Sequence, residues 1–309
     1  MAVYEQTYKQ YLGKLTPEWN RFLVIPRHAF HDVFKSKLFT AFFVICFLPL
    51  LLEAILIYLH HNVSGIEVLK SMAIVNNIRE LIPIDASFFQ FWVNFQAWPA
   101  YFVMLLVGPP LVSRDLRNNA LPLYLCRPFS RTDYVLGKMS VLLILLSAIT
   151  WVPQLLLFLF QSYLEGWSWF VDNLSQAGAI FISNVVWILL LALLSQAVSA
   201  LVKWRVIASA ALLGIFFIPW VFGEVINNLF LTRWGNIISL GALMRNVTSG
   251  LFGTFVQVSR HITDFDGRVG REIIVNELPL WASWFALFVV CAICLALLSR
   301  KVKAYEVVR

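Results

Sequence analysis

Long apolar runs alternate with short polar segments along the whole chain of 309 residues. A helix needs about 20 consecutive apolar residues to cross the hydrocarbon core of a bilayer. Backbone groups in lipid must be paired within such a segment, so these runs predict helices rather than strands. Six runs are long enough to cross, the fifth being the shortest: Leu38–Leu59, Phe91–Val112, Leu136–Phe160, Ala179–Val202, Val206–Phe222 and Leu278–Leu298. The predicted fold class is therefore an all-α polytopic membrane protein with six transmembrane helices.

Polar regions flank this six-helix transmembrane domain, which spans residues 38–298. Residues 1–37 carry tyrosines and leucines at helical spacing, followed by Thr16-Pro17-Glu18, which is typical of a helix start. We expect two short amphipathic helices there on the cytoplasmic membrane face; a partly ordered tail is the alternative. Residues 299–309 form a cytoplasmic tail. The long outer loop at residues 223–277 is apolar in its first half, which predicts short helices against the bilayer, and charged over Ser259–Glu277, which predicts a water-exposed turn region.

Composition and charge set the class and the orientation. Hydrophobic residues make up 60% of the chain and charged residues only 13%, which is too apolar for a soluble domain of this size. With the N-terminus in the cytoplasm, 17 of the 24 Lys and Arg residues lie on the cytoplasmic side, as the positive-inside rule expects. Both termini are therefore predicted to be cytoplasmic. The net charge of +7 reflects this bias and contact with anionic lipid head groups, so it implies no nucleic-acid partner.

A basic loop at residues 113–135 connects the second and third spans. It ends in a helix start, because Ser130 stands three residues before Asp133 and can form a capping box with it. Phe129 and Tyr134 occupy the two positions of a hydrophobic staple around that cap. The third span is therefore expected to begin at a fixed point. The charged residues of the loop and of the turns after it are Arg114, Asp115, Arg117, Arg127, Arg131, Asp133 and Lys138.

Common catalytic motifs are absent from the sequence. There is no Gly-x-x-x-x-Gly-Lys-Ser/Thr phosphate loop, so the chain is not expected to bind and hydrolyse ATP by itself. His-Glu-x-x-His and Gly-x-Ser-x-Gly are also missing, and no metal site is predicted. Cys291 and Cys294 have redox-motif spacing, but inside an apolar helix cysteine behaves as a small hydrophobe. We therefore expect no enzymatic activity in this chain.

Glu53 is the charged residue that stands out inside a span. An acid at the centre of a transmembrane helix costs about 2.5–3.5 kcal/mol on insertion scales, so it should face protein or a water-filled cavity. Lining of a transport path is one interpretation. Solvation at the outer interface, or structural pairing with another helix, is the other. Pro49, Pro109-Pro110, Pro153 and Pro219 are expected to kink their spans or to mark their ends.

Layout and basic loop together resemble the permease subunit of ATP-binding-cassette exporters of the second type. Such permeases have an amphipathic cytoplasmic N-terminus, six spans, a basic loop after the second span and a long outer connection before the last. The local match runs from Arg114-Asp115 through Asn119-Ala120-Leu121 and the heptapeptide Leu-Cys-Arg-Pro-Phe-Ser-Arg at 125–131 to Tyr134 and Gly137-Lys138. It is similar to the family's acid, Gly-Thr-Leu, Ser-x-Pro-x-Ser-Arg and Gly-Lys sequence. Asn119-Ala120 replaces the frequent Gly-Thr, and Cys126 replaces a small polar residue.

The resemblance implies a division of labour between chains. Two permeases, identical or homologous, would pair in the cytoplasmic (inner) membrane of a bacterium. Each would present its loop to one of two separate ATPase subunits, which bind ATP and Mg²⁺ and rock the permease helices between inward- and outward-facing states. The implied coupling residues are Arg114, Asp115, Arg117, Arg127 and Arg131, and the implied pathway-lining residues are Glu53, Asn94 and Gln96. Pro109-Pro110 and Pro128 would bracket a short cationic helix, Arg114–Tyr124, that acts as a lever.

Two other classes of membrane protein stay open. A membrane module of an ATPase complex with a mechanical or assembly role would share every feature above. An autonomous channel or carrier is the second alternative, which the proline-interrupted spans favour and the lack of a clear internal repeat disfavours. The sequence does not indicate the cargo, since lipid, peptide, drug, polysaccharide and ion exporters share this layout.

Overall fold

The structure is a computed structural model, and it describes residues 24–62, 83–118, 131–202, 204–255, 258–263, 269–275 and 278–301. The described elements, in chain order, are α1 Val24–Phe34, α2 Lys37–Ile45, α3 Leu48–Asn62, α4 Ala86–Arg117, α5 Arg131–Ile149, α6 Trp151–Glu165, α7 Trp167–Asp172, α8 Leu174–Leu201, α9 Arg205–Phe230, a 3₁₀ turn Trp234–Ile237, α10 Leu240–Phe252, β1 Val258–Thr263, β2 Val269–Val275 and α11 Leu280–Lys301.

Within the described residues, six helical stretches are long and apolar enough to cross a membrane, which confirms the prediction of a multi-pass membrane protein. We number them in chain order: span 1 Lys37–Asn62, span 2 Ala86–Asp115, span 3 Thr132–Glu165, span 4 Leu174–Leu201, span 5 Arg205–Phe230 and span 6 Leu280–Arg300. Following the predicted orientation, the end of the bundle that holds the connection between spans 2 and 3 is called the inner end, and the opposite end the outer end.

Span 4 forms the centre of the bundle. Every residue from Leu190 to Ala200 is buried, and the helix packs against spans 2, 3, 5 and 6. A helix that is apolar all round is expected in such a central position. Spans 2 and 4 approach closely at Gly108, where an added Cβ would lie 2.9 Å from Ser195 Cβ and closer still to its hydroxyl oxygen. A small residue at a helix crossing allows this approach, as is usual in membrane bundles.

Spans 1 and 3 are each broken part-way across the membrane. Span 1 breaks between Ile45 and Leu48, just before Pro49, and span 3 breaks at Thr150, just before Pro153. Proline lacks the N–H that pairs with the carbonyl four residues earlier, so Pro153 leaves the carbonyl of Ile149 without its helical donor.

The side-chain amide of Gln96 pairs the carbonyls at both breaks. Its Nε2 donates to Ile149 O at 2.6 Å and to Cys46 O at 3.0 Å, and the side chain is only 1% exposed. Since unpaired backbone carbonyls in lipid are costly, a donor from span 2 stabilises the two breaks together.

Span 2 continues through its prolines without a break. Pro109 frees the carbonyl of Leu105, which accepts a hydrogen bond from Ser209 Oγ of span 5 at 3.3 Å. The prediction of a separate cationic helix starting at Arg114 is therefore wrong, because Arg114 and Arg117 lie in the last turns of α4. Residues 119–130, which hold the rest of that predicted helix, lie outside the described residues.

Span 5 is longer than predicted, ending at Phe230 rather than Phe222. Asn227 in its added turns uses both of its side-chain polar atoms: Oδ1 accepts from Gly235 N at 2.9 Å, and Nδ2 donates to Asn236 Oδ1 at 2.7 Å. Gly223 meets Gly235 so closely that a Cβ on it would lie 2.6 Å from the Gly235 carbonyl oxygen. The chain after span 5 is thereby held against the end of its own helix.

The outer connection contains the predicted short helices and one element that was not predicted. Helix α10 starts at the N-cap Ser239, whose Oγ accepts from Ala242 N, and it packs against spans 2, 4, 5 and 6. Its side chain Asn246 donates to the carbonyl of Leu278 and to Ser283 of span 6, each at 2.7 Å. The second half was predicted to be a turn region, but β1 and β2 pair there as an antiparallel hairpin. Val258, Ile262 and the run Ile273-Ile274-Val275 supply the β-branched residues that favour strands.

The described part of the N-terminal region is helix α1, which packs against the start of span 3. Ile25 is buried, whereas Arg27, His28, His31 and Asp32 are exposed, so this helix is amphipathic. The helices predicted before it, and residues 302–309 of the tail, lie outside the described residues.

Candidate coupling site and membrane cavity

A buried cluster of three polar side chains joins spans 2 and 3 at the inner end. Lys138 Nζ lies 2.9 Å from Asp115 Oδ2, and Tyr134 Oη donates to the same oxygen at 2.9 Å. The side chains of Lys138 and Asp115 are only 9% and 14% exposed. Lys138 Nζ also lies 5.7 Å from the centroid of the Tyr134 ring, within the range of a cation–π contact. We call Asp115, Tyr134 and Lys138 the Asp115 cluster.

Local sequence explains why this cluster forms. The helix of span 3 begins at Arg131, directly after the predicted N-cap Ser130, with Asp133 in its first turn. This start places Tyr134 and Lys138 four residues apart on one face of the helix. Asp115 reaches them from the last turn of α4. Both ends of the basic loop are consequently tied to each other by an ion pair and a charge-assisted hydrogen bond.

The predicted coupling residues divide into buried and exposed groups. Asp115 is engaged inside the chain, whereas Arg114 and Arg117 are exposed at the inner end. The guanidinium carbon of Arg117 lies 5.1 Å from the ring centroid of Trp204, in the connection between spans 4 and 5. Arg131 begins α5, and nothing is described of its side chain; Arg127 lies outside the described residues. Cations in the last turns of a helix also interact favourably with its dipole.

A cavity of about 250 Å³ lies in the outer part of the bundle, between spans 2, 4 and 5 and helix α10. We call it the membrane cavity. Six of its 15 lining residues are aromatic: Phe91, Phe95, Trp98, Tyr101, Trp187 and Phe216. Its polar lining consists of Asn94, Ser183, Asn184, Arg245 and Thr248. On span 2 the lining runs from Phe91 to Tyr101, which is about 8 to 23 Å along the helix from its start at Ala86.

Hydrogen bonds fix several of the cavity's walls. Trp187 Nε1 donates to Ala97 O at 3.2 Å, and Tyr101 Oη donates to Leu212 O at 3.3 Å. Asn184 Nδ2 donates to Gln154 Oε1 at 2.7 Å. These donors are occupied within the protein. Arg245, Ser183 and Asn94 make no side-chain hydrogen bond or ion pair with any other residue in the described ranges.

The predicted pathway residues lie in three different surroundings. Asn94 lines the membrane cavity, and Gln96 pairs the carbonyls at the breaks of spans 1 and 3. Glu53 does not line the cavity; it is 1% exposed, and its carboxylate oxygens have no hydrogen-bond partner among the residues that the structure describes. A pathway role for Glu53 stays a prediction.

Sequence reasoning missed the cation of the cavity. Arg245 lies in the first half of the outer loop, which the sequence prediction treated only as apolar. Helix α10 contains no other charged residue, and this isolated cation in an apolar amphipathic segment was the signal available in the sequence. The aromatic residues of the wall carried no comparable signal, since they come from three spans that are far apart in the chain.

Neither a scan against protein-family models nor a search of curated proteins found a match to this chain. Its function is therefore inferred from its residues and their geometry.

Proposed function

We propose that this chain is the permease subunit of an ATP-binding-cassette exporter. Two permease chains, identical or homologous, assemble with two separate ATPase subunits in the cytoplasmic membrane of a bacterium. The ATPases bind ATP and Mg²⁺ and carry out hydrolysis, while the permease supplies the path and has no enzymatic activity of its own.

The observation that carries this proposal is the construction of the inner end. A loop that must transmit force needs a stiff attachment to the spans and a surface for its partner. The Asp115 cluster supplies the attachment, because a buried ion pair with an additional hydrogen bond holds the end of span 2 to the start of span 3. Arg114 and Arg117 supply exposed cations beside it, which suit acidic groups on a partner surface.

Motion in the bundle has a structural basis in the breaks of spans 1 and 3. Each break divides its span into an inner and an outer helix, so the halves are able to tilt relative to each other. Movement imposed on span 3 at the inner end would reach the break through α5, whose last residue is Ile149. Alternation between inward- and outward-facing states fits this arrangement.

The test is copurification combined with a charge reversal. A tagged chain extracted from its native membrane should bring with it an ATPase subunit in equal number. The double variant Arg114→Glu/Arg117→Glu should still insert in the membrane but should lose the ATPase, or hydrolyse ATP without transport. Arg300→Glu is the matched control, since Arg300 is also exposed at the inner end and its reversal should leave the complex intact.

Three outcomes would overturn the proposal or change its class. A monodisperse, ATPase-free protein that transports fully would favour an autonomous carrier. An ATPase complex that moves no cargo under any condition would favour a mechanical or assembly role. Equal behaviour of the double variant and the Arg300→Glu control would remove the coupling role of these two arginines.

A further inference from the structure

We infer that the membrane cavity binds an anionic lipid, with the anionic group on Arg245 and the start of the acyl chain between the aromatic side chains. This inference names a substrate class for the proposed exporter. It rests on the proposed function in one respect, which is that the bound lipid is taken to be the transported cargo. Binding itself depends on the cavity of this chain.

The charge of the cavity points to an anion. Arg245 is the only charged residue of α10 and lines the cavity, and no acidic side chain in the described ranges forms an ion pair with it. An arginine is always protonated, and its planar guanidinium matches phosphate and carboxylate oxygens in a bidentate arrangement. Arg245 is exposed, so its guanidinium is accessible to an anionic group at the wall of the cavity.

Unused hydrogen-bonding groups lie in the same cavity. Ser183 is 1% exposed, and its Oγ has no partner among the described residues, although it belongs to the cavity wall. The side chain of Asn94 is likewise unused within the described chain. A buried hydroxyl without a partner costs stability, so its presence in the same cavity as an arginine is explained if a ligand oxygen or hydroxyl pairs with it.

The remaining wall suits an acyl chain. Phe91, Phe95 and Trp98 line the cavity and are 58%, 46% and 44% exposed, so the cavity opens to the surroundings on this side of span 2. These three residues follow one another at helical spacing and form a continuous aromatic stripe. A volume of about 250 Å³ is slightly below the range of pockets that enclose a whole drug-sized ligand. It fits a head-group portion and the first part of a chain, with the rest of the chain leaving through the mouth into the bilayer.

Tryptophan fluorescence can report this binding directly, because Trp98 and Trp187 line the cavity. The purified protein, together with its ATPase if the two copurify, is placed in phosphatidylcholine nanodiscs. Phosphatidylglycerol with brominated acyl chains is then added in increasing amounts, and quenching is recorded. We expect saturable quenching by this anionic lipid and only weak, linear quenching by brominated phosphatidylcholine.

Variants distinguish the cavity from other tryptophans, of which the chain has 12 in total. Arg245→Gln should raise the half-saturating lipid fraction by about tenfold or more, which corresponds to about 1.4 kcal/mol. Arg245→Lys should retain part of the affinity, and the double variant Trp98→Phe/Trp187→Phe should lose the saturable signal. Arg233→Gln is the matched control, because Arg233 also lies in the outer connection but does not line the cavity.

Several results would overturn the inference. Equal titrations for wild type, Arg245→Gln and Arg233→Gln would show that the arginine binds no lipid. Saturable quenching by phosphatidylcholine would indicate a purely apolar groove, and full competition by inorganic phosphate would indicate a site for a small free anion. Absence of any saturable signal would show that the cavity does not bind this anionic lipid. None of these results depends on an ATPase partner, so they are separate from failure of the proposed function.

Discussion

Removal of the carboxylate in the Asp115 cluster is predicted to destabilise the protein far more than loss of a neighbouring exposed charge. In Asp115→Asn the ammonium of Lys138 stays mostly buried, at 9% exposure, while the opposite charge at 2.9 Å is lost. Breaking a buried ion pair from one side typically costs about 3–5 kcal/mol. Because both side chains keep slight solvent access, we expect about 3 kcal/mol, the lower end of that range.

A double-mutant cycle separates the interaction energy of the Asp115–Lys138 ion pair from the effects of changing each residue alone. Lys138→Met leaves the carboxylate of Asp115 buried and should cost a similar amount. The double replacement Asp115→Leu/Lys138→Met removes both charges and should fall within about 1–2 kcal/mol of wild type, since apolar substitution of a whole buried pair is often close to neutral. The coupling energy of the cycle then measures the ion pair in its surroundings.

Reversible unfolding in detergent, followed by circular dichroism, gives the free energies of unfolding. Arg114→Gln is the control, because it removes an exposed charge one residue away and should change stability by no more than about 0.5 kcal/mol. The reasoning is refuted if Asp115→Asn and Arg114→Gln have equal effects. It is also refuted if the double variant is as unstable as the sum of the two single variants.

Further predictions concern the breaks, the helix crossing and the topology. Gln96→Leu removes the donor of two carbonyls and should lower the free energy of unfolding by about 2–4 kcal/mol in the same assay; a loss below 1 kcal/mol would mean that water replaces the amide. Gly108→Ala should destabilise the crossing of spans 2 and 4 by at least about 1 kcal/mol, whereas Gly178→Ala, with no atom near its Cβ, should not; equal melting temperatures would contradict the close packing. An impermeant maleimide should label an engineered cysteine at Asp172 but not at Arg117 in intact cells, and the reverse pattern would invert the orientation.

The position of the spans was predictable from hydrophobic runs, but their internal shape was not. Prolines were expected to kink spans or mark their ends, and breaks do precede Pro49 and Pro153. Pro109 and Pro219 instead lie inside continuous helices. For Pro109 the difference arises from a residue of another span, Ser209, which pairs the freed carbonyl of Leu105. Such compensation depends on tertiary contact, so local sequence cannot foretell it.

In the candidate sites too, local features were predictable from the sequence, whereas features that depend on contacts between spans were not. The basic loop and the start of span 3 are local features, and the helix does begin at Arg131, after the predicted cap. Burial of Asp115 was not foreseen, because its partners Tyr134 and Lys138 approach it only when spans 2 and 3 pack together. The membrane cavity combines residues of three spans and α10, and no single segment carries a pattern that predicts it.

The amide of Gln96 makes the two broken spans mechanically dependent on each other. It lies ten residues into span 2, about 15 Å from the start of that helix and hence near the middle of a hydrocarbon core about 30 Å thick. Both of its N–H groups are used, one on each break. A rotation that moves the carbonyl of Cys46 or Ile149 away from Gln96 leaves that carbonyl without a hydrogen bond in the middle of the hydrocarbon core. Coordinated bending of spans 1 and 3 at their breaks is therefore favoured. The bundle thus has one hinge point near the middle of the membrane, at Gln96. The inner and outer halves of spans 1 and 3 are able to tilt about it while the two hydrogen bonds of the Gln96 amide are kept.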